Sequence, residues 1–175
     1  MKQFLMLLTI IALVAGTAFA GGDKEEMPES IEMEDGYYFQ MAEEFSENGW
    51  KEVAFFTVED SEIVSATWDS VNIQAGPAKY ERSKNGQYGM VENSDAQSAW
   101  YKQADAAAEW LIENQDPSLI KMDEEGYTDA ISGVSIHVIG FFPLVEQALK
   151  QGPDGMGMYE DGVYTAQAAE FSESG

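Results

Sequence analysis

The segment at residues 129–135, Asp-Ala-Ile-Ser-Gly-Val-Ser, combines residue types that suit the binding of a phosphate. It comes just before an apolar stretch that predicts a helix, and the free amides at a helix start stabilise an anion. Gly133 permits a close or left-handed backbone there. This local help matters because the net charge of the chain is −23, so that the overall field opposes an anion. Taken alone, a Ser-Gly-x-Ser string is most often a simple turn.

The residue counts exclude several kinds of redox and metal site. The chain has no cysteine and a single histidine, His137. This excludes a dithiol pair, an iron–sulfur cluster, a thioether-linked haem, a cysteine zinc site and a histidine-rich metal centre. Redox work by this chain therefore requires an organic cofactor.

The charge of the chain limits its partners. Acidic residues number 32 against 9 basic ones. Phosphate backbones and anionic membrane surfaces would repel such a chain, which argues against binding to nucleic acid. The acidity indicates solubility before anything else, and a specific cationic partner is the alternative interpretation.

The first twenty residues have the pattern of a secretory signal. Lys2 gives a positive start, an apolar run follows, and Ala18-Phe19-Ala20 is typical of a cleavage site. We therefore expect residues 1–20 to be a signal peptide and the protein to be exported. A retained membrane anchor is the alternative, since the apolar run is close to the minimum length for a membrane span. Residues 21–34 are acidic and turn-rich and predict a linker.

The first half of the remaining chain predicts an antiparallel meander. Alternating apolar residues and turn signals predict strands over residues 37–45, 51–59 and 63–68, with Val64, Ala66 and Trp68 on one face. Residues 72–93 are glycine-rich and are expected to be irregular. The fold class is therefore predicted to be α+β, with helices packed on an antiparallel sheet.

The second half predicts two helices. Ser94 as N-cap and Gln97 as its reciprocal partner predict a helix that ends at Asp116-Pro117. Residues 119–122 are a candidate short strand. A last helix is predicted over residues 139–150, where Pro143 indicates a late start or a kink. The buried stripe of the first helix is expected to be Ala96, Ala99, Trp100, Ala104, Ala107 and Leu111.

The chain contains an internal repeat. Residues 35–49 return as residues 161–175 with nine identical positions in register. We interpret residues 35–151 as one domain, 152–160 as a linker and 161–175 as the start of a truncated second repeat. A tail of coincidental composition is the alternative.

The segment at 129–135 resembles the flavinylation motif of the FMN-binding domain family, Asp-x-x-Ser-Gly-Ala-Thr/Ser. The family includes flavin domains of Rnf and sodium-pumping quinone reductase complexes, and the likeness is greatest to extracellular electron-transfer flavoproteins. The resemblance spans about residues 35–151. It also includes Asp35-Gly36-x-Tyr38, Gly49-Trp50-Lys51, Trp68-Asp69-Ser70-Val71-Asn72, the set Lys79, Ser83, Tyr88 and Met90, and Ile136-His137-Val138.

This resemblance implies a covalent cofactor. The hydroxyl of Ser135 would accept FMN through a phosphoester, supplied from FAD by a separate flavin transferase, and electrons would pass to membrane or extracellular redox partners. Asp129, Ser132, Gly133 and Val134 would form the recognised loop, in which Val134 replaces the usual Ala and Ser135 the usual Thr. His137 is a candidate to lie near the phosphate or to be structural. Candidates to pack on the flavin ring, each of them also a plausible core residue, are Trp50, Trp68, Tyr88 and Tyr127.

Two other functions fit the same sequence. The domain would be the FMN-binding module of a larger extracellular reductase if catalytic domains accompanied it. A cofactor-free secreted acidic binding protein is the second alternative, which predicts colourless protein with the mass of the polypeptide alone. We expect an electron carrier rather than an enzyme.

Overall fold

A computed structural model describes residues 33–155, and it contains a three-stranded antiparallel sheet. The predicted signal at 1–20, nearly all of the predicted linker at 21–34 and the repeat at 161–175 lie outside these residues. The strands follow one another in the order β1-β2-β3 and are Gly36–Met41, Trp50–Glu59 and Glu62–Asn72. Asp60 and Ser61 join β2 to β3 with positive φ angles of 53° and 62°, as a tight hairpin requires.

Four helices complete the domain and confirm the predicted α+β class. They are α1 (Lys79–Lys84), α2 (Met90–Asn93), α3 (Trp100–Asn114) and α4 (Phe142–Gln151). Short 3₁₀ turns cover Pro117–Leu119 and Val138–Gly140. Within residues 33–155, none of the helices has the length and apolar character that crossing a membrane requires.

The core lies between one face of the sheet and the two longer helices. The sheet contributes buried Tyr38, Phe56 and Trp68, and α3 contributes Trp100, Ala104, Ala107 and Leu111 at helical spacing, as predicted. The other face of the sheet is open to solvent, where Phe39 and Phe55 are opposite one another and more than 40% exposed.

The strand predictions were wrong at three points. Strand β1 ends at Met41 instead of residue 45, because the chain then turns through Ser46 and Gly49. Strand β3 continues to Asn72 instead of 68. Val64 does not share the buried face of Trp68: Thr57 pairs with Ser65 and Val58 with Ile63, so that Val64 is a bulge residue and 46% exposed.

The start of the long helix was also predicted wrongly. Helix α3 begins at Trp100, and Ser94 instead follows the last residue of α2, where its hydroxyl donates a hydrogen bond to the carbonyl of Met90. The Gln97 amide binds the Asp95 carbonyl, so that no capping box forms. The start of α3 is stabilised by Ser83, whose Oγ accepts a hydrogen bond from the Tyr101 amide at 3.1 Å.

The connecting segments hold more helix and less strand than predicted. Residues 72–93 are not simply irregular, since they contain α1 and α2. The candidate strand at 119–122 is absent: a 3₁₀ turn over Pro117–Leu119 occupies its start, and the residues that follow it form no strand. The late start that Pro143 indicated is confirmed, because α4 begins at Phe142 with proline in its first turn.

A buried ion pair joins the sheet to α1. The Lys79 ammonium lies 3.2 Å from a carboxylate oxygen of Glu52 on β2, with side-chain exposures of 7% and 24%. The same carboxylate accepts hydrogen bonds from the Trp68 indole and the Ser70 hydroxyl. The ammonium also lies over the rings of Trp50, Tyr88 and Trp100, at 4.9–5.7 Å from their centroids.

We predict that Lys79→Met destabilises the fold by about 3 kcal/mol, because it leaves a partly buried carboxylate without its cation. The double variant Lys79→Met/Glu52→Gln should recover part of that loss. Lys150→Met removes the exposed ion pair with Glu146 and should cost no more than about 0.5 kcal/mol. Urea denaturation measures all three, and equal costs for the two lysine variants would contradict the prediction.

Candidate functional site

The Ser-Gly pair of the motif forms a tight turn on the surface. The Val134 amide donates to the Ile131 carbonyl at 3.3 Å, and Gly133 has a φ of +79°. A turn of this kind needs a positive φ at its third residue, which explains the glycine. No atom lies within 4 Å of where a Cβ on Gly133 would be, so that this side of the turn is open. Buried Ile131 and half-buried Val134 anchor the turn to the core.

Ser135 follows the turn and is held by a buried glutamine. Its backbone amide donates to Oε1 of Gln103 at 2.6 Å, and its exposed hydroxyl makes a longer contact of 3.3 Å to the same oxygen. Gln103 is 1% exposed, and its amide nitrogen donates to the Ser98 carbonyl at 2.9 Å. The backbone of Ser135 is therefore fixed while its Oγ remains accessible from solvent.

The helix that lies beside Ser135 is α3 and not α4. Helix α4 begins seven residues after Ser135, and its N-cap Phe141 and first residue Phe142 are fully buried, so that the predicted help of its amides is not found. Gln103 is in the first turn and a half of α3, and a helical side chain points back toward the N-terminus of its helix. The hydroxyl therefore lies near the positive end of α3.

A locked loop precedes the turn. The Asp123 carboxylate accepts hydrogen bonds from the amides of Glu125 and Tyr127, and the Asp123 amide donates to the Tyr127 carbonyl. Gly126 packs against Ile139, which a Cβ would approach to 2.6 Å, and its carbonyl accepts from the Val138 amide. These contacts fix the loop against the segment that follows Ser135.

His137 is exposed and contacts Tyr127 of the locked loop. Its ring meets the ring of Tyr127 edge to face, with 4.1 Å between the ring centroids. The imidazole makes no capping hydrogen bond to the 3₁₀ turn that follows it. It therefore supports Tyr127 at the surface.

Asp129 lines an open cleft next to this loop. The cleft has a volume of about 540 Å³ and is bordered by Lys121, Met122, Asp123, Tyr127, Thr128, Asp129 and Ala130. Thr128 is buried; its hydroxyl donates to the Lys121 carbonyl at 2.7 Å and accepts from the Ala130 amide. The first residue of the motif, Asp129, therefore lines the cleft, whereas its later residues form the turn and Ser135.

The aromatic candidates differ in their access to solvent. Trp50 and Trp68 are 8% and 3% exposed and belong to the core. Tyr88 is half-buried, and burial first and the Glu52 carboxylate second raise its pKa above the usual value. Tyr127 is 37% exposed and is the one of the four that lines the cleft beside the motif.

Sequence reasoning missed Gln103. Its signal was a polar residue within the apolar stripe of α3, one turn from both Trp100 and Ala107. A buried amide at such a position needs hydrogen-bond partners, because an unpaired one is costly. The partner lies 32 residues away along the chain, so that only the folded structure identifies it.

Two solved structures resemble this chain. A protein from Clostridium thermocellum, determined in solution by NMR, is 41% identical with a TM-score of 0.55, and the match covers 74% of this chain and 98% of that protein. A protein from Clostridium perfringens, in a crystal structure, is 22% identical with a TM-score of 0.54, covering 69% and 88%. The second likeness shows the fold alone. No family model and no curated protein matches the chain.

We predict that Gln103→Leu loosens Ser135. The variant leaves the Ser135 amide and the Ser98 carbonyl without their partner and should cost about 1–3 kcal/mol. Hydrogen exchange should show the Ser135 amide exchanging faster than in the unchanged protein. Gln97→Leu, at an exposed position, is the matched control and should leave that amide protected. If the Ser135 amide exchanges at the same rate in both variants, Gln103 is not what holds the Ser135 backbone.

A second prediction concerns the locked loop. Gly126→Ala should destabilise the protein by about 3 kcal/mol, because the added Cβ meets Ile139 and the residue has a positive φ. Gly86→Ala shares the positive φ but meets no atom, and should cost only about 1 kcal/mol. Urea denaturation of both variants separates the cost of the positive φ from the cost of the clash with Ile139. Equal losses of stability would show that the packing against Ile139 is loose.

Proposed function

The chain belongs to the same family as the Clostridium thermocellum protein, and from the residues around Ser135 we propose that it is an exported flavoprotein that carries FMN covalently and transfers electrons outside the cytoplasm. The observation that carries the proposal is the environment of Ser135. Its hydroxyl is accessible, while its backbone amide is held by the buried side chain of Gln103. An ordinary surface serine needs no such support. A serine that must be presented to another enzyme does.

The attachment is a phosphoryl transfer. The Ser135 oxygen forms a bond to the phosphorus of the FMN half of FAD, the pyrophosphate bond breaks, and AMP leaves with the electron pair of that bond. The hydroxyl proton passes to a base of the transferase or to water, and nothing is oxidised or reduced. Gln103 cannot act as that base, because a carboxamide oxygen accepts a hydrogen bond without taking the proton.

The residues present fit an FMN phosphoester. The open side of Gly133 leaves room beside the serine for a phosphate. The nearby N-terminus of α3 stabilises its negative charge by about 0.3–1 kcal/mol in a typical surface geometry. This stabilisation acts against the repulsion that a phosphate experiences from the net negative charge of the chain. Asp129 and Ser132 remain exposed on the loop that a transferase would recognise.

FMN, when bound, supplies the redox chemistry that a chain without cysteine and with a single histidine lacks. Covalent attachment suits an exported carrier, because a bound cofactor that dissociates outside the cell is not replaced. The export signal predicted at residues 1–20 and the acidity of the chain are consistent with electron transfer to membrane or extracellular redox partners. A flavin transferase that uses FAD is the required loading partner.

We predict that co-expression with such a transferase yields yellow protein, whose mass exceeds that of the polypeptide by FMN less one water. Peptide mapping should place the added mass on Ser135. Ser135→Ala should abolish both colour and adduct, because no other hydroxyl on the turn is held in the same way.

Ser132→Ala is the matched control, since it removes the neighbouring hydroxyl of the same exposed turn. It should lower the rate of loading without moving the site. An adduct on Ser132, or a protein that stays colourless with an active transferase, would overturn the proposal.

A further inference from the structure

The cleft bordered by Lys121, Tyr127 and Asp129 includes the first residue of the motif that ends at Ser135. We infer that this cleft holds the flat isoalloxazine ring of the flavin, with Tyr127 as its aromatic wall. The inference rests on the proposed function, because it assigns a place to the ring of the FMN joined to Ser135.

The cleft is formed before any ligand arrives. Its Tyr127 wall is fixed by the hydrogen bonds to Asp123 and by the packing of Gly126 on Ile139. Another part of its lining is fixed by buried Thr128, whose hydroxyl donates to the Lys121 carbonyl and accepts from the Ala130 amide. A preformed cleft does not lose loop entropy on binding, and ligand sites are usually of this kind.

The cleft is within reach of the phosphoester. His137 touches the Tyr127 ring and follows Ser135 by two residues, which span at most about 7 Å of chain. Tyr127 is 37% exposed even with this contact, so that ring surface remains available. The volume of about 540 Å³ exceeds what a three-ring system fills. The ribityl chain then needs to bridge only the distance from the turn to the cleft.

The charges of the cleft select a neutral ring. Lys121 is its one basic residue, while Asp123 and Asp129 are acidic. The two carboxylates outnumber the one ammonium, so that they oppose an anion but not the neutral oxidised ring. The other aromatic cleft, lined by Trp50, Tyr88 and Arg82, offers a Trp50 ring that is only 8% exposed.

The test uses the FMN-loaded protein. Stacking on Tyr127 should quench the flavin fluorescence and induce a visible circular dichroism signal, and Tyr127→Leu should raise the fluorescence several-fold and abolish the signal. Tyr127→Phe keeps an aromatic wall and should keep the circular dichroism. Tyr37→Leu, on the open face of the sheet, is the control and should change neither. Stability and extent of loading are measured for each variant.

The outcomes separate the two proposals. The flavin of the loaded protein could have the fluorescence and circular dichroism of free FMN, and Tyr127→Leu could leave both unchanged. That result would overturn the placement of the ring in the cleft while leaving the attachment to Ser135 intact. If Ser135 carries no flavin, the proposed function fails. The cleft is then tested by titrating Ser135→Ala protein with riboflavin, where quenching that Tyr127→Leu removes supports it and unquenched fluorescence overturns it.

Discussion

The buried ammonium of Lys79 constrains the rest of the domain. A charge with so little access to solvent must be paired, and Glu52 on β2 supplies the partner. Because Glu52 also binds Trp68 and Ser70 of β3, one carboxylate fixes α1 against two strands. The aromatic rings around the ammonium shield it from water, whereas the Glu52 carboxylate keeps 24% of its side chain exposed. Lys79 is one of the residues that carry the resemblance to the flavin family, and its structural role is to organise this junction.

The position of Ser135 is a consequence of that junction. Trp100 is one of the rings over Lys79, and it is the first residue of α3. Ser83, at the end of α1, binds the next amide of α3, so that the helix start is held from the same side. Gln103 lies one turn further and holds Ser135. The serine of a surface loop is thereby built on a packed helix, which gives it a precision that loops alone do not supply.

The sequence predicted the elements whose patterns are local. Period-two alternation identified β2, the apolar stripe identified most of α3, and Gly133 marked a left-handed position that the structure contains. The failures have physical causes that depend on distant contacts. Val64 was misassigned because a bulge shifts the register by one residue. The start of α3 was missed because its cap, Ser83, comes from another helix. Gln103 escaped because its partner is remote in sequence.

The last described residues have a consequence for how the domain meets its neighbours. Strand β1 is an edge strand, and such strands readily pair with other chains. Here Gly155 forms a bridge with Tyr37, and the carboxylate of Asp154 accepts a hydrogen bond from the Phe39 amide. The chain thus covers its own vulnerable edge on leaving the domain. At high protein concentration this protection matters, because it hinders unwanted strand pairing between copies where such pairing would begin.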